Sequence, residues 1–215
     1  MRQTTWEKPE VALAHRTAVA QEGMHELLEQ YRLDPYGYFI RGMEHVLTQD
    51  PNVKVLLDIG CGCGHYSDWL GSFFPEMSYI GFDHEVAVDL AKEVSSSTAK
   101  FFAVSVKSPD TILNLLPRDG HCALLFSGAL EYMTSDPHGF LERLIALTLP
   151  RHWIILHRAR INQGSDYGRW KSESTYAGNK EDIWYWGPNW PFEPEKVITW
   201  YRQDTCTAIW QGQYR

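Results

Sequence analysis

Residues 53–64 read VKVLLDIGCGCG, and this stretch decides the fold. An apolar, β-prone run ends at Asp58 and passes into a loop with glycine at every second position. Glycine lets the backbone approach a ligand and adopt a positive φ, and the helix that follows offers free N–H groups at its N-terminus. That helix is predicted from apolar residues at helical spacing, namely Tyr66, Trp69, Leu70, Phe73 and Phe74. The order strand, glycine turn, helix predicts a site for a nucleotide-like ligand.

The spacing of the glycines narrows the choice of ligand. A dinucleotide fingerprint requires G-x-G-x-x-G, and neither frame fits because His65 or Ser67 occupies the place of the third glycine. Residues 58–64 instead resemble the D-x-G-x-G-x-G first motif of class I S-adenosylmethionine-dependent methyltransferases. The resemblance, which extends over residues 53–160, implies that this loop binds S-adenosyl-L-methionine through Asp58, Gly60, Cys61, Gly62 and Gly64.

A second strand supports the same interpretation. The run from Met77 ends in Asp83, nineteen residues beyond Gly64. A carboxylate at the tip of the second strand can accept hydrogen bonds from both ribose hydroxyls, so Asp83 is the predicted ribose ligand. His84 follows it and is predicted to lie along the adenosine.

Strands and helices continue to alternate after Asp83. We predict strands over 100–106, over 122–127 and from Trp153, and helices opened by Ser108-Pro109 and Asp136-Pro137. Such a βα repeat predicts a parallel sheet whose ligands bind beyond the carboxyl ends of the strands. The further cofactor-binding residues expected there are Ser105, Val106, Ser127 and Gly128.

The expected fold is α/β, Rossmann-like and doubly wound, with a mostly parallel seven-stranded sheet, N-terminal helices and a C-terminal aromatic insertion. We treat 1–215 as a single methyltransferase domain, with a helical cap at 1–50 and a cofactor-binding core at 53–160. Residues 162–194 contain many aromatic rings and no sustained helical period, so they are an expected acceptor lid. Plain packing of the rings against the domain is the alternative. A helix over 194–202 and a strand over 205–213 complete the last part, 195–215.

The methyl acceptor is predicted to be a small molecule or a sugar-containing compound, methylated at oxygen. A hydroxyl acceptor needs a base within hydrogen-bond reach, and His157 at the end of the fifth strand is the first candidate. Glu131 and Tyr132 come next. The stretch 126–132 resembles the fourth motif of small-molecule methyltransferases, which often ends in Leu-Glu-His, but Tyr132 replaces the histidine here.

Composition limits the other possibilities. A net charge of −7 disfavours a nucleic-acid partner. The polar N-terminus and the absence of a long apolar run predict a cytoplasmic protein that does not bind membranes, and the four cysteines show no framework or metal-ligand spacing. No metal site is expected. Two alternatives remain at this point: an NAD(P)-dependent oxidoreductase and a non-catalytic S-adenosylmethionine-binding module.

Overall fold

The structure, a computed structural model, describes residues 35–95, 98–161, 168–176, 179–186, 190–199 and 205–214. Along 168–176 and 179–185 it describes the backbone only. The predicted helical cap therefore lies outside the described residues up to position 34, and the predicted lid lies partly outside them.

Helices and strands alternate through the first two thirds of the chain. The helices are α1 (Pro35–Gln49), α2 (His65–Phe73), α3 (Glu85–Val94), α4 (Pro109–Leu113), α5 (Leu130–Met133) and α6 (Pro137–Leu147). The strands are β1 (Val53–Ile59), β2 (Ser78–Asp83), β3 (Lys100–Ala103), β4 (His121–Ser127), β5 (His152–Arg160), β6 (Gly168–Tyr176), β7 (Asn179–Tyr185), β8 (Lys196–Thr199) and β9 (Thr205–Gln211).

Seven of these strands form one sheet in the order β3-β2-β1-β4-β5-β9-β8. Strands β1 to β5 are parallel to one another, and β9 runs antiparallel to both β5 and β8. The predicted fold class, a mostly parallel seven-stranded sheet, is confirmed. Strands β6 and β7 pair separately as an antiparallel two-stranded sheet. Within the described residues no helix has the length and apolar character needed to cross a membrane.

The central strands are apolar on both sides because helices cover both faces of the sheet. Ala123 and Leu125 of β4 belong to the cluster on one face, which includes α1, α2 and α3 and is called here the α1 face. Leu124 and Phe126 belong to the cluster on the opposite face, which includes α4, α5 and α6 and is called the α6 face. Because β1 to β5 are parallel, their carboxyl ends meet at one edge of the sheet.

Two helix starts confirm predictions made from local sequence. The Ser108 hydroxyl accepts a hydrogen bond from the Thr111 amide at 3.4 Å, and Pro109 follows as the first residue of α4. Asp136 accepts one from the Gly139 amide at 3.0 Å at the start of α6. Side-chain caps of this kind satisfy amides that have no partner inside the helix.

Two predictions about elements were wrong. Residues 196–199 are the edge strand β8 rather than helix, because the run Val197, Ile198, Thr199 is β-branched and pairs with β9. Strand β3 ends at Ala103 instead of continuing to Val106. The insertion, for which the sequence predicted no sustained helical period, contains the β6–β7 hairpin.

Candidate functional site

The glycine loop that follows β1 has a left-handed backbone at all three of its glycines. Gly60, Gly62 and Gly64 have φ of 79°, 55° and 73°. A Cβ at Gly60 would lie 2.5 Å from the Cβ of Ala129, and one at Gly64 would lie 2.5 Å from the Phe101 ring. A Cβ at Gly62 would meet nothing within 4 Å. Packing therefore requires two of the glycines, while Gly62 faces open space in which a ligand can approach the backbone.

The Asp83 carboxylate ties this loop to the end of β2. Its Oδ2 accepts a hydrogen bond from the Gly62 amide at 2.7 Å, and its Oδ1 accepts one from the His84 amide at 2.7 Å. The side chain keeps 17% of its surface exposed. Each carboxylate oxygen has more than one acceptor position, so Asp83 can hold the loop and still receive ribose hydroxyls. His84 itself caps α3, because its Nδ1 accepts from the Ala87 amide at 3.4 Å.

Asp58 lies fully buried beneath the loop. Its Oδ2 accepts a hydrogen bond from the Tyr79 hydroxyl at 2.5 Å, whereas its Oδ1 is buried without a hydrogen-bond partner among the described residues. Burial raises the pKa of the carboxyl to about 7, the Tyr79 bond opposes that rise, and the Asp83 charge adds to it. A cationic ligand group beside Oδ1 would satisfy this oxygen and favour the ionised form.

The remaining residues predicted to contact the cofactor lie just after β3 and at the end of β4. Ser105 is exposed and Val106 is buried in the cluster on the α6 face. Gly128 has φ of 58°, and its amide donates to the carbonyl oxygen of His157 at 3.1 Å. The Ser127 hydroxyl lies 2.7 Å from the hydroxyl of Tyr66 in α2. The strand ends thus bring the residues expected from the sequence to the same edge of the sheet as the glycine loop.

Cys61 and Cys63 are buried free thiols within the loop. Burial raises the pKa of the Cys61 thiol, so it stays protonated and acts as a small apolar side chain. In the part of the chain that the structure describes, no group of three or more His, Cys, Asp or Glu residues is placed to hold a metal ion.

His157, the first candidate base, is completely buried on the α1 face. Its Nδ1 lies 2.8 Å from the hydroxyl of Thr207 in β9, and its ring meets the rings of Tyr66 and Phe39 edge to face at 5.7 and 6.1 Å. An imidazole enclosed in this way has no exposed surface from which to reach a bound acceptor. The sequence predicted His157 at the end of the fifth strand, but β5 continues to Arg160, and the sequence did not show that β9 and α1 would cover the residue.

Glu131 is the second residue of the short helix α5, just after β4. Its Oε1 accepts a hydrogen bond from the indole N–H of Trp186 at 2.9 Å, while its Oε2 is buried without a partner among the described residues. Burial raises the pKa of this carboxyl, and the Trp186 bond and the nearby Arg160 and Arg158 charges oppose the rise. Tyr132, the next residue, is 51% exposed.

The end of the aromatic insertion is packed into the domain. Trp186 is fully buried, its amide donates to the carbonyl oxygen of Arg160 at 2.9 Å, and its ring stacks on Trp190 at 5.8 Å. Trp190 in turn meets Trp210 of β9 edge to face at 5.4 Å. The packing alternative thus fits Trp186. Its bond to Glu131 was not predicted, since no local pattern relates two residues that far apart in the chain.

Comparisons with known proteins agree with this geometry. Residues 27–213 match the sequence model of a family described as a methyltransferase domain. The N-terminal domain of EvdMO1 with SAH bound has a similar fold, with TM-score 0.52, 16% identity and coverage of 83% of this chain and 81% of that one. The same domain in the presence of SAH and D-fucose gives TM-score 0.52 and 16% identity over 83% of each chain. No curated protein matches the sequence significantly.

The family match covers most of the chain, including the glycine loop, Asp83 and the β4 turn. It decides against the NAD(P)-dependent oxidoreductase that the sequence left open, in agreement with the glycine spacing. The chain belongs to the methyltransferase domain family, and it is a class I enzyme that depends on S-adenosyl-L-methionine.

Proposed function

We propose that this enzyme transfers the methyl group to an oxygen atom of a small-molecule or sugar-containing acceptor, with Glu131 as the general base. The observation that carries the proposal is the position of Glu131, which stays partly exposed in α5 just after β4 and has one carboxyl oxygen without a hydrogen-bond partner among the described residues. A hydroxyl must lose its proton as it is methylated, and a carboxylate near the end of the central strands can receive that proton.

The residues at the strand ends fit the cofactor. Gly62 leaves room for close approach to the backbone, Asp83 offers acceptors for the ribose, and the buried Oδ1 of Asp58 suits the ammonium of the amino-acid part. His84, Ser105, Val106, Ser127 and Gly128 are the proposed contacts along the rest of the ligand. The bound cofactor supplies an electrophilic methyl group on a sulfonium, so the protein has to align the acceptor and exclude water.

The environment of Glu131 suits a base. A carboxyl with an ordinary pKa is a weak base at neutral pH, and burial raises the pKa of Glu131 toward the range in which proton transfer is efficient. The indole N–H of Trp186 holds one oxygen, which orients the other. Tyr132 is exposed beside it and is the proposed contact to the acceptor. His157 is assigned a positioning role, because it packs against Tyr66, whose hydroxyl reaches Ser127.

The insertion at 162–194 is proposed to cover the acceptor. Its hairpin connects the end of β5 to Trp186, and Trp186 is fixed to Arg160 and Glu131. A segment attached at the base itself is well placed to exclude water from the reaction. We further propose a cytoplasmic location, which suits four buried free cysteines, and no nucleic-acid partner, given the net charge of −7.

Glu131→Gln tests the base. Glutamine keeps the shape and an oxygen to accept from Trp186, but it cannot take a proton. We expect methyl transfer to hydroxyl acceptors to fall by about 100-fold or more, the usual contribution of a general base, while S-adenosylhomocysteine binding by calorimetry stays within about twofold of wild type.

Glu142→Gln, on the exposed side of α6, is the matched control and should leave methyl transfer unchanged. Full activity of Glu131→Gln on hydroxyl acceptors would refute the assignment. Methyl transfer by the wild-type enzyme to amine or thiol acceptors, together with none to hydroxyls, would refute methylation at oxygen.

A further inference from the structure

The end of β5 contains a backbone outlier. Arg158 has φ of 61°, the one positive value at a non-glycine residue in the described part of the chain. This left-handed conformation is strained for any residue that has a Cβ. The strand pairing explains where it arises: β5 advances from Leu156 to Ala159 while β9 advances only from Ala208 to Cys206. Strand β5 therefore has one extra residue at this point, which is a β-bulge.

The bulge changes which residue faces the core. Ile154 and Leu156 belong to the cluster on the α6 face, so unbroken alternation would place residue 158 in that apolar cluster next. Ala159 occupies that cluster instead and is fully buried. Arg158 stays only partly buried. The strain at one residue thus keeps a guanidinium out of the core and at the end of the strand where ligands bind.

The surroundings of Arg158 belong to the acceptor side of the site. The charges of Arg160 and Arg158 both act on the Glu131 carboxyl and hold its pKa lower than burial alone would. The Arg160 carbonyl oxygen receives the Trp186 amide at 2.9 Å. Among the described residues, neither Arg158 nor Arg160 lies within 4.0 Å of a carboxylate, because the ion pairs there are made by histidines, Lys92 and Arg143.

We propose that Arg158, with Arg160 beside it, binds an oxyanion on the methyl acceptor, either a carboxylate or a phosphate. The inference rests on the proposed function, because it specifies the chemical class of the acceptor at the same site. Guanidinium matches the planar or tetrahedral oxygens of such groups with paired hydrogen bonds, which a lysine does not. Backbone strain that places a cation beside the base is the kind of strain found where a site needs it.

A simpler role for Arg158 is to tune Glu131 alone. That role predicts a shifted pH profile of methyl transfer in an Arg158 variant and no change in the binding of anions. The two roles differ in a binding measurement that does not require the natural acceptor.

The experiment titrates the S-adenosylhomocysteine complex of the full chain with benzoate, phenyl phosphate and neutral benzamide, using calorimetry. We expect at least one of the two anions to bind about tenfold or more tightly than benzamide, and the stronger one identifies the carboxylate or the phosphate. Arg158→Gln should weaken that anion by about 10- to 100-fold, the value of charged hydrogen bonds. Equal affinity for all three probes, or an unchanged anion affinity in Arg158→Gln, overturns the proposal.

Two further variants control for folding and for general charge. Arg158→Gly removes the guanidinium and relieves the left-handed strain, so it should fold normally and lose the anion as Arg158→Gln does. Arg143→Gln removes an exposed cation that pairs with Asp110 and should leave anion binding unchanged. If wild type fails to bind S-adenosylhomocysteine, the proposed function itself fails. Normal cofactor binding without preference for the anions overturns only this inference.

Discussion

The proposed cofactor half of this enzyme, around the glycine loop, and the proposed acceptor half, around Glu131, are constructed differently. In the cofactor half, the bonds Gly62 to Asp83 and Tyr79 to Asp58 each join residues 21 positions apart. In the acceptor half, the bond from Trp186 to Glu131 joins residues 55 apart, and His157 and Thr207 are 50 apart. The glycine loop and Asp58 are thus fixed by the neighbouring strand β2, whereas the surroundings of Glu131 and His157 depend on the chain that follows β5. Substitutions around the glycine loop should therefore mainly weaken cofactor binding, and substitutions around Trp186 should mainly lower stability.

The largest expected effect is on the acceptor half. Trp186→Ala should lower the free energy of unfolding by about 3–5 kcal/mol, because removing a fully buried tryptophan side chain leaves a cavity in the core. It also removes the donor to Glu131. Urea denaturation measures the loss, and calorimetry of S-adenosylhomocysteine should show affinity within a few fold of wild type wherever the variant is folded.

Trp186→Phe separates packing from hydrogen bonding, because phenylalanine keeps most of the ring volume and lacks the indole N–H. It should lose about 1–3 kcal/mol, the cost of a buried acceptor without its partner. If Trp186→Ala instead lost less than about 1 kcal/mol of unfolding free energy, Trp186 would be a mobile side chain over the acceptor and not part of the core. The proposed difference between the two halves would then be wrong.

The next effect is confined to the cofactor half. Gly62→Val should weaken S-adenosylhomocysteine binding by about 100-fold or more, because its side chain would fill the open space against the backbone. The left-handed φ at Gly62 adds a stability cost on the order of 1–3 kcal/mol. Calorimetry at a temperature where both proteins are folded checks the affinity.

Gly120→Val is the matched control for Gly62→Val. Gly120 also has a positive φ, 94°, and open space around its Cβ position, but it precedes β4 at the opposite edge of the sheet. It should show a similar loss of stability with unchanged cofactor affinity. If Gly62→Val and Gly120→Val bound S-adenosylhomocysteine with equal affinity, the glycine loop would only connect β1 to α2 and would not bind the cofactor.

The smallest effect is a pH dependence within the cofactor half. The pKa of Asp58 in the folded chain is about 7, above its ordinary value of 3.8. The stabilisation that the Asp58 carboxyl contributes is therefore fully present below pH 3.8 and is lost as the pH rises through about 7. Asp58→Asn should be more stable than wild type by an amount that grows up to about pH 7 and then stays constant.

Binding should change in the opposite direction. If the ammonium of the ligand lies beside Asp58, S-adenosylhomocysteine affinity in wild type rises by about tenfold from pH 6 to pH 8, because the ligand requires the ionised carboxyl. Calorimetry at both pH values measures it, and Asp58→Asn should bind equally at the two. If the wild-type affinity for S-adenosylhomocysteine did not change with pH, Asp58 would not bind the ammonium group.

Local signals account for most of what the sequence predicted correctly. The D-x-G-x-G-x-G motif, Asp83 and the caps at Ser108 and Asp136 each depend on residues close together in the chain, and they predicted the methyltransferase family, the parallel sheet and two helix starts. Strand β8 was predicted as helix because its stabilising partner, β9, is a tertiary one.

The acceptor side could not be predicted in the same way. The burial of His157 follows from the pairing of β5 with β9, and the orientation of Glu131 follows from Trp186. The bulge at Arg158 leaves no mark in the sequence, because nothing in the residue type indicates a left-handed backbone at an arginine.

The strand order β5-β9-β8 also has a consequence for how the protein is made. Ribosomes release β8 before β9, yet β8 joins the large sheet only through β9. Until β9 emerges, the hydrogen-bonding edge of β5 stays open and Trp190 lacks its neighbour Trp210. An open edge on a nascent chain is a surface that chaperones bind and that aggregates form on. Completion of the proposed acceptor side is therefore a late step of biosynthesis, and a stalled or shortened chain leaves the edge of β5 open.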